Sequence, residues 1–359
     1  MKKSSFITAA LLAMVSMLAI GCSDASQDAT PETNVTPAVQ SETKAVVPAA
    51  VTPSGIPEGM GVLPAAVPVP ADNPQTEAKI DLGKQLYFDP ALSKSGNFSC
   101  NSCHNLGTWG VDNQKFSIGH KWQRGGRNAP TVLNSGFWSA QFWDGRAPLL
   151  EDQAKGPPLN PVEMASMSEA TVVARLTEAG YIPLFDTVFG KGSLNYDNMA
   201  KAIASFERTL NTPDAPFDLY IQGKGEISEA AIRGMKKADE VGCTSCHSGA
   251  LFTNNSFQKF AYGTDEGVKS VTNKDEDDHL FRVQSWRNVA MTAPYFHDGG
   301  VATLDEAVRV MAKTQLDTEL SDQDTADIVE FLKTLTGKAP EVSFPVLPRP
   351  AGKALTWAD

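Results

Sequence analysis

The chain carries the order Cys-x-x-Cys-His twice, as Cys100-Asn101-Ser102-Cys103-His104 and as Cys243-Thr244-Ser245-Cys246-His247, and no other feature limits its fold as tightly. Two thiols three positions apart with a histidine directly after them suit covalent attachment of a c-type haem. The thiols form thioethers with the porphyrin vinyl groups, and the histidine turns back to bind the iron. A Cys-x-x-Cys pair alone would also suit a redox dithiol or half of a zinc site. The histidine that follows both copies favours haem over disulfides or zinc. Cys100, Cys103, His104, Cys243, Cys246 and His247 are therefore expected to hold two haem c groups, one in each half of the 359-residue chain.

The motifs use four of the five cysteines. The fifth, Cys22, follows Lys2, Lys3, an apolar run from Phe6 to Ile20, and Gly21, which together read as an export signal over residues 1–21. The run is too short to span a bilayer as a helix. Leu18-Ala19-Ile20-Gly21-Cys22 resembles a lipoprotein cleavage box, with Cys22 as the lipidated first residue. Ala19 departs from the commoner leucine, so simple secretion remains the alternative. Either route leads to the periplasm, in keeping with haem attachment outside the cytoplasm. Residues 22–72, rich in Ala, Pro, Thr, Val, Ser and Glu, read as a disordered tether. Two haem domains are then expected, 73–212 and 213–359, divided where prolines interrupt the helical pattern at Asn211-Thr212-Pro213-Asp214-Ala215-Pro216.

Periodicity between the motifs is helical. Ser166 to Glu169 fits a capping box ahead of the apolar positions Val172, Val173 and Leu176. Tyr196, Met199, Ile203, Phe206 and Leu210 recur at spacings of three and four, which puts them on one face. A late helix is expected with Ser321 as its cap, Ile328, Phe331, Leu332 and Leu335 on its buried side, and Gly337 near its end. No segment shows sustained alternation with hairpin turns. The expected fold is mainly α: two cytochrome c-like haem domains with long loops, preceded by a signal peptide and a tether. A net charge of −11 argues against nucleic acid as a partner. The run Asp275-Glu276-Asp277-Asp278 reads as a solvated loop rather than a metal site.

Two haems permit either an electron carrier or an enzyme, and the sixth iron ligand separates the two. With His104 and His247 on the proximal sides, His120, His279 and His297 remain as candidates, with ten methionines besides. Spacing alone does not choose among them.

The flanking sequence resembles the bacterial di-haem cytochrome c peroxidase family. The likeness runs through Leu82-Gly83-Lys84-Gln85-Leu86-Tyr87-Phe88-Asp89-Pro90-Ala91-Leu92-Ser93, the first haem motif, and Ser117-Ile118-Gly119-His120. It continues through Arg127-Asn128-Ala129-Pro130-Thr131, Gln141-Phe142-Trp143-Asp144-Gly145-Arg146 and Pro161-Val162-Glu163-Met164. In the second half it takes in Arg287-Asn288-Val289-Ala290, Thr292-Ala293-Pro294-Tyr295-Phe296-His297-Asp298-Gly299 and Met311.

The resemblance implies that His104 binds a low-potential peroxidatic haem whose resting sixth ligand is His120. His247 and Met311 would bind a high-potential haem, since a thioether opposite histidine favours ferrous iron. Trp143 would stand between the haems, and Glu163 would be the distal acid-base group. Asn128, Thr292 and Pro294 would hold calcium through an amide oxygen and backbone carbonyls. The implied activity is reduction of hydrogen peroxide with electrons from a small donor such as a cytochrome c or cupredoxin, in a homodimer. Two other classes compete. The protein-oxidising methylamine-dehydrogenase maturation enzymes are similar but carry tyrosine where this chain has Met311. A non-catalytic carrier would have no use for Glu163.

Overall fold

The computed structural model describes residues 53–350. The expected export signal, Cys22 and the expected tether as far as residue 52 lie outside the described residues. The fold is mainly α with long loops, as the periodicity implied. Its helices are α1 Glu77–Phe88, α2 Cys100–Cys103, α3 Leu150–Gln153, α4 Gly156–Leu159, α5 Glu169–Glu178, α6 Ile182–Phe189, α7 Tyr196–Glu207, α8 Pro216–Ile221, α9 Glu229–Glu240, α10 Lys269–Thr272, α11 Leu304–Leu316 and α12 Asp322–Lys333. Among the described residues, the sheet is a single antiparallel pair, β1 Phe257–Lys259 and β2 Leu280–Arg282, with Phe257 opposite Arg282. No helix of the described residues is long and apolar enough to cross a membrane.

One packing device occurs in both halves. A helix leading into a Cys-x-x-Cys-His motif crosses a later helix, and a glycine lies at the crossing. In the first half α1 packs on α7. A Cβ on Gly83 would stand 1.9 Å from the Ala202 carbonyl oxygen. In the second half α9 packs on α12, where a Cβ on Gly234 would stand 1.8 Å from the Asp327 carbonyl oxygen. Hydrogen is the only side chain that allows either approach. Arg233 on α9 adds a two-pronged bond to Asp327 at 2.7 and 2.8 Å.

Each crossing seeds an apolar core. The first contains Leu82, Leu86, Tyr87, Val172, Leu176 and the whole expected helical face, Tyr196, Met199, Ile203 and Phe206 on α7 with Leu210 just past its end. The second gathers Phe217, Met235, Phe252, Ile328, Phe331, Leu332 and Leu335. Ser321 caps α12 by accepting from the Asp324 N–H, as its position implied. Two terminal details differ from expectation. Helix α5 is capped by Ser168, which accepts from the Thr171 N–H, whereas the Ser166 hydroxyl turns inward to donate to the Leu92 carbonyl at 2.9 Å. A buried serine that can bond a loop carbonyl is thus lost to the cap. Gly337 lies beyond the end of α12 at Lys333, and a Cβ there would meet the Thr212 carbonyl oxygen at 2.0 Å. The acidic run is a turn, exposed at Asp275 and Glu276 and half-buried at Asp277 and Asp278, with Asp275 reaching Lys269 at 2.9 Å.

Residues from the stretch read as tether lie on the second half. Met60 pairs with Gly249, Ile56 and Met60 pack against the second core, and Arg287 donates to the Gly61 carbonyl at 2.8 Å.

Candidate functional site

The two Cys-x-x-Cys-His motifs border two neighbouring cavities. The first, of about 490 Å³, is lined by Cys103, His104, Trp143, Arg146, Asn160 and Glu163, among others. The second, of about 340 Å³, is lined by Cys243, Cys246, His247, Trp286, His297 and Met311, among others. Trp138, Trp143 and the run Asn128–Thr131 line both, so these residues form the common wall. Both volumes fall in the range of ligand sites.

Helix α2 is a single turn that brings Cys100 and Cys103 round to one side, with the His104 N–H bonded to the Cys100 carbonyl at 2.9 Å. His104 Nδ1 faces the Pro130 carbonyl at 2.9 Å, and His247 Nδ1 faces the Phe252 carbonyl at 3.2 Å. With Nδ1 so occupied, Nε2 is the ring nitrogen left for a metal, the usual arrangement of an oriented histidine ligand. Burial lowers the pKa of both imidazoles, that of His247 to about 4, against the opposing pull of the carbonyls. Each therefore stays neutral, the form that binds iron. His247 also stacks on Trp286, centroids 4.4 Å apart. No disulfide joins the four motif cysteines, so all four sulfurs are left for thioether bonds. This donor set fits haem.

Glu163 reaches the first cavity from the loop before α5. Asn160 Nδ2 donates to its Oε1 at 2.7 Å. Burial raises the Glu163 pKa above the ordinary carboxyl value, while Arg146 and the Asn160 bond pull it down. A carboxyl whose pKa is raised in this way is the kind of group that takes and gives a proton in acid-base catalysis. Arg146 itself is held by Asp144 at 2.7 Å and lies 3.5 Å over the Phe142 ring.

His120 takes a different position. It sits on the turn His120–Trp122, its backbone N–H bonded to the Glu163 carbonyl at 2.8 Å, and Gly119 rather than His120 lines the cavity. Its Nδ1 is buried without a hydrogen-bond partner among the described residues. A Cβ on Gly119 would lie 2.2 Å from the Val162 carbonyl oxygen, so this loop is pressed against the backbone that carries Glu163.

In the second cavity the structure brings together Met311, from α11, and His297. His297 is 1% exposed, its ring stacks on Phe281 at 4.1 Å, and neither ring nitrogen has a hydrogen-bond partner among the described residues. His279 lines neither cavity and faces Asp278 at 3.0 Å. Trp143 donates its indole N–H to the Asn128 carbonyl at 2.9 Å and meets His297 edge-on at 6.2 Å. Asn128, Thr292 and Pro294 all line the second cavity. The Asn128 amide nitrogen is committed to the Gln114 carbonyl at 2.9 Å, which leaves Oδ1 as the atom able to meet a cation.

Three residues of the two cavities carried no sequence signal that the motif reading used. Asn160, three residues before Glu163, had a local one, an Asn-x-x-Glu spacing that suits a side-chain bond. Glu207, on α7, lines the first cavity with Oε2 buried and unpartnered. Arg282, on β2, lines the second. Neither of these has a local pattern, because each is brought to its cavity by long-range packing.

A family model for di-haem cytochrome c peroxidase matches residues 77–226. The chain is 46% identical over 291 residues to cytochrome c551 peroxidase of Nitrosomonas europaea, covering 78% of this chain and 86% of that one. It is 43% identical over 288 residues to cytochrome c551 peroxidase of Pseudomonas aeruginosa, covering 77% and 83%. Among solved structures, a MauG-like protein associated with microbial copper homeostasis superposes with a TM-score of 0.69 at 30% identity, over 77% of this chain and 95% of that one. The chain belongs to the di-haem cytochrome c peroxidase family.

Proposed function

We propose that the protein reduces hydrogen peroxide to water, taking two protons and two electrons per peroxide from the medium and a small redox donor. The observation that carries this reading is the pair of Cys-x-x-Cys-His cavities with a wall in common, one of which also holds a carboxyl beside an orienting amide. When bound, haem iron supplies the peroxide-binding centre and the exchange of electrons. The chain's residues do the rest. Cys100, Cys103, Cys243 and Cys246 would anchor two haems covalently, with His104 and His247 as the oriented proximal ligands. Glu163 would take the proton from the near peroxide oxygen and return it to the far one, so that water rather than hydroxide departs. Asn160 keeps that carboxyl turned towards the cavity. Trp143 supplies a conjugated ring in the common wall.

Met311 is the proposed sixth ligand of the second haem. His120, beside the first cavity on a loop bonded to Glu163, is the proposed removable ligand of the first. Asn128 Oδ1 with the Thr292 and Pro294 carbonyls offers the hard oxygens calcium prefers. The division into haem domains near residue 212, periplasmic export, lipidation at Cys22 and a homodimer belong to the same proposal and are supported by the sequence and the resemblance. Met311, where protein-oxidising relatives carry tyrosine, favours peroxide reduction over residue oxidation. Steady-state turnover of hydrogen peroxide with reduced cytochrome c, on protein assayed for haem content, tests the reading. A protein with two haems and no peroxide turnover, in the oxidised or the half-reduced state, would refute it.

A further inference from the structure

The second cavity contains a positive charge that no carboxylate among the described residues pairs with. Two other deeply buried arginines are matched by carboxylates: Arg208 by Glu151 at 2.7 and 2.8 Å, and Arg287 by Asp218 at 2.8 Å. Arg282 is buried as deeply, at 1% exposure, yet among the described residues it has no carboxylate within ion-pair distance. Its contacts are neutral. The guanidinium reaches Gln284 Oε1 at 3.0 Å and, at long range, the Phe142 carbonyl at 3.4 Å and the Val283 carbonyl at 3.5 Å. It also stands 4.5 Å over the Trp138 ring. Such contacts do not replace the hydration an ion loses on burial. Loss of water pulls the pKa down to about 10, so the group is still a cation at neutral pH.

Position narrows the missing partner to one chemical class. Arg282 lines the cavity that Cys243, Cys246, His247 and Met311 line. Its backbone N–H donates to the Trp143 carbonyl at 2.9 Å, which fixes it beside the wall common to both cavities. A planar guanidinium is the side chain best shaped to hold a carboxylate through two parallel bonds. The haem proposed for this cavity brings two carboxylates of its own.

We propose that Arg282 binds a propionate carboxylate of the haem in the second cavity. The proposal rests on the reading that this cavity holds haem. Arg282 thereby orients that haem against Trp143 and, as a fixed positive charge, stabilises its ferrous state. It is a binding and positioning residue rather than a catalytic one.

The test uses the full-length holoprotein as wild type, Arg282→Gln and Arg282→Lys. Haem content comes first. A wild-type chain with haem on the first motif alone removes both the reading of the cavity and this proposal. With two haems present, Arg282→Gln is expected to keep both, to lower the midpoint potential of the second haem, and to shift its propionate bending band in resonance Raman. Arg282→Lys should restore much of the potential, because the charge remains, but not the band, because a single ammonium replaces the fork. A wild-type potential and an unshifted band in Arg282→Gln overturn the proposal. So does a potential that follows chloride or phosphate concentration in the wild type with no change of band in the variant, since the partner is then a free anion. Should Arg282→Gln yield no folded holoprotein, the lysine variant decides, and an unshifted propionate band in it counts against the proposal.

Discussion

Glu163 and Glu207 are both carboxyls at the first cavity, and their surroundings give them different chemistry. Glu163 has an amide donor and a nearby guanidinium, so its raised pKa stays in reach of proton exchange. Glu163→Gln keeps the shape and removes the acid, and peroxide turnover should fall by about 10²–10⁴ with haem content and melting temperature unchanged. Near-wild-type turnover would return Glu163 to a structural role. Glu207 is fully enclosed, and burial pushes its pKa up to about 8, opposed by Arg208 and reinforced by Glu151. In the unfolded chain the same group titrates at the ordinary value of 4.5. Between those two values the folded state holds a proton that the unfolded state has released. Stability must therefore fall as pH rises across that window and level off above it. Glu207→Gln should flatten the decline and raise the melting temperature more at pH 8 than at pH 5. An unaltered pH slope in the variant would mean that Glu207 is ionised in the folded protein.

The glycines of α1 and α9 show how an element can be legible while its purpose is not. In a helix interior glycine is a weak residue, so Gly83 and Gly234 count against the helices that contain them. The crossings explain them. The facing carbonyl oxygens lie less than 2 Å from where a Cβ would stand, so a methyl group must spread the helices. Gly83→Ala and Gly234→Ala should each destabilise the protein by about 1–3 kcal/mol, the usual cost of overpacking. Denaturant unfolding with haem absorbance as the probe checks this. A neutral or stabilising alanine would show that the helices can separate freely. Gly119 belongs to the same group. Its glycine neighbours Gly125 and Gly126 suggest a mobile His120 loop, yet Gly119 is a point of close backbone approach to Glu163 rather than of free rotation.

At the scale of the whole described body, each end of the described stretch lies on the half it does not belong to. Residues 56–61 pack on the second core and on Arg287, while the C-terminal segment returns to the first half. There Val342 joins the first core, Phe344 meets Phe88 edge-on at 4.9 Å, and Arg349 grips the fully buried Asp89 through two bonds of 2.8 Å. Asp89 also accepts from Tyr181 at 2.7 Å and caps the turn that leads towards Cys100. Arg349→Ala leaves that carboxylate short of its cationic partner and should cost about 1–3 kcal/mol, discounted from a fully buried pair because Arg349 is partly in water. Thermal unfolding of this variant should show the loss, and an unchanged melting temperature would make the tail a passive passenger. Between the halves, Thr212 is bonded to Asn134 and Asn288, and Lys338 to the Pro213 carbonyl, so the proline-rich junction is a tied seam.

The sequence by itself determined what depends on short-range order. Helical periodicity showed the buried faces of α7 and α12, because residues three and four apart share a helix side wherever the helix goes. Two Cys-x-x-Cys-His runs specified two sites, because their chemistry lies within five consecutive residues. The start of α5 escaped local pattern, since Ser166 and Ser168 are equally good caps until a buried carbonyl claims one of them. Everything that needs a partner far along the chain was decided by the tertiary structure alone. Trp143 lies in a common wall only because the halves meet there. Glu207 has its pKa raised only because water is excluded around it, and Arg282 is an unmatched cation only because β2 places it beyond ion-pair distance of every described carboxylate. Local pattern specifies which groups a chain has; burial and long-range contact decide their charge, their neighbours and so their use.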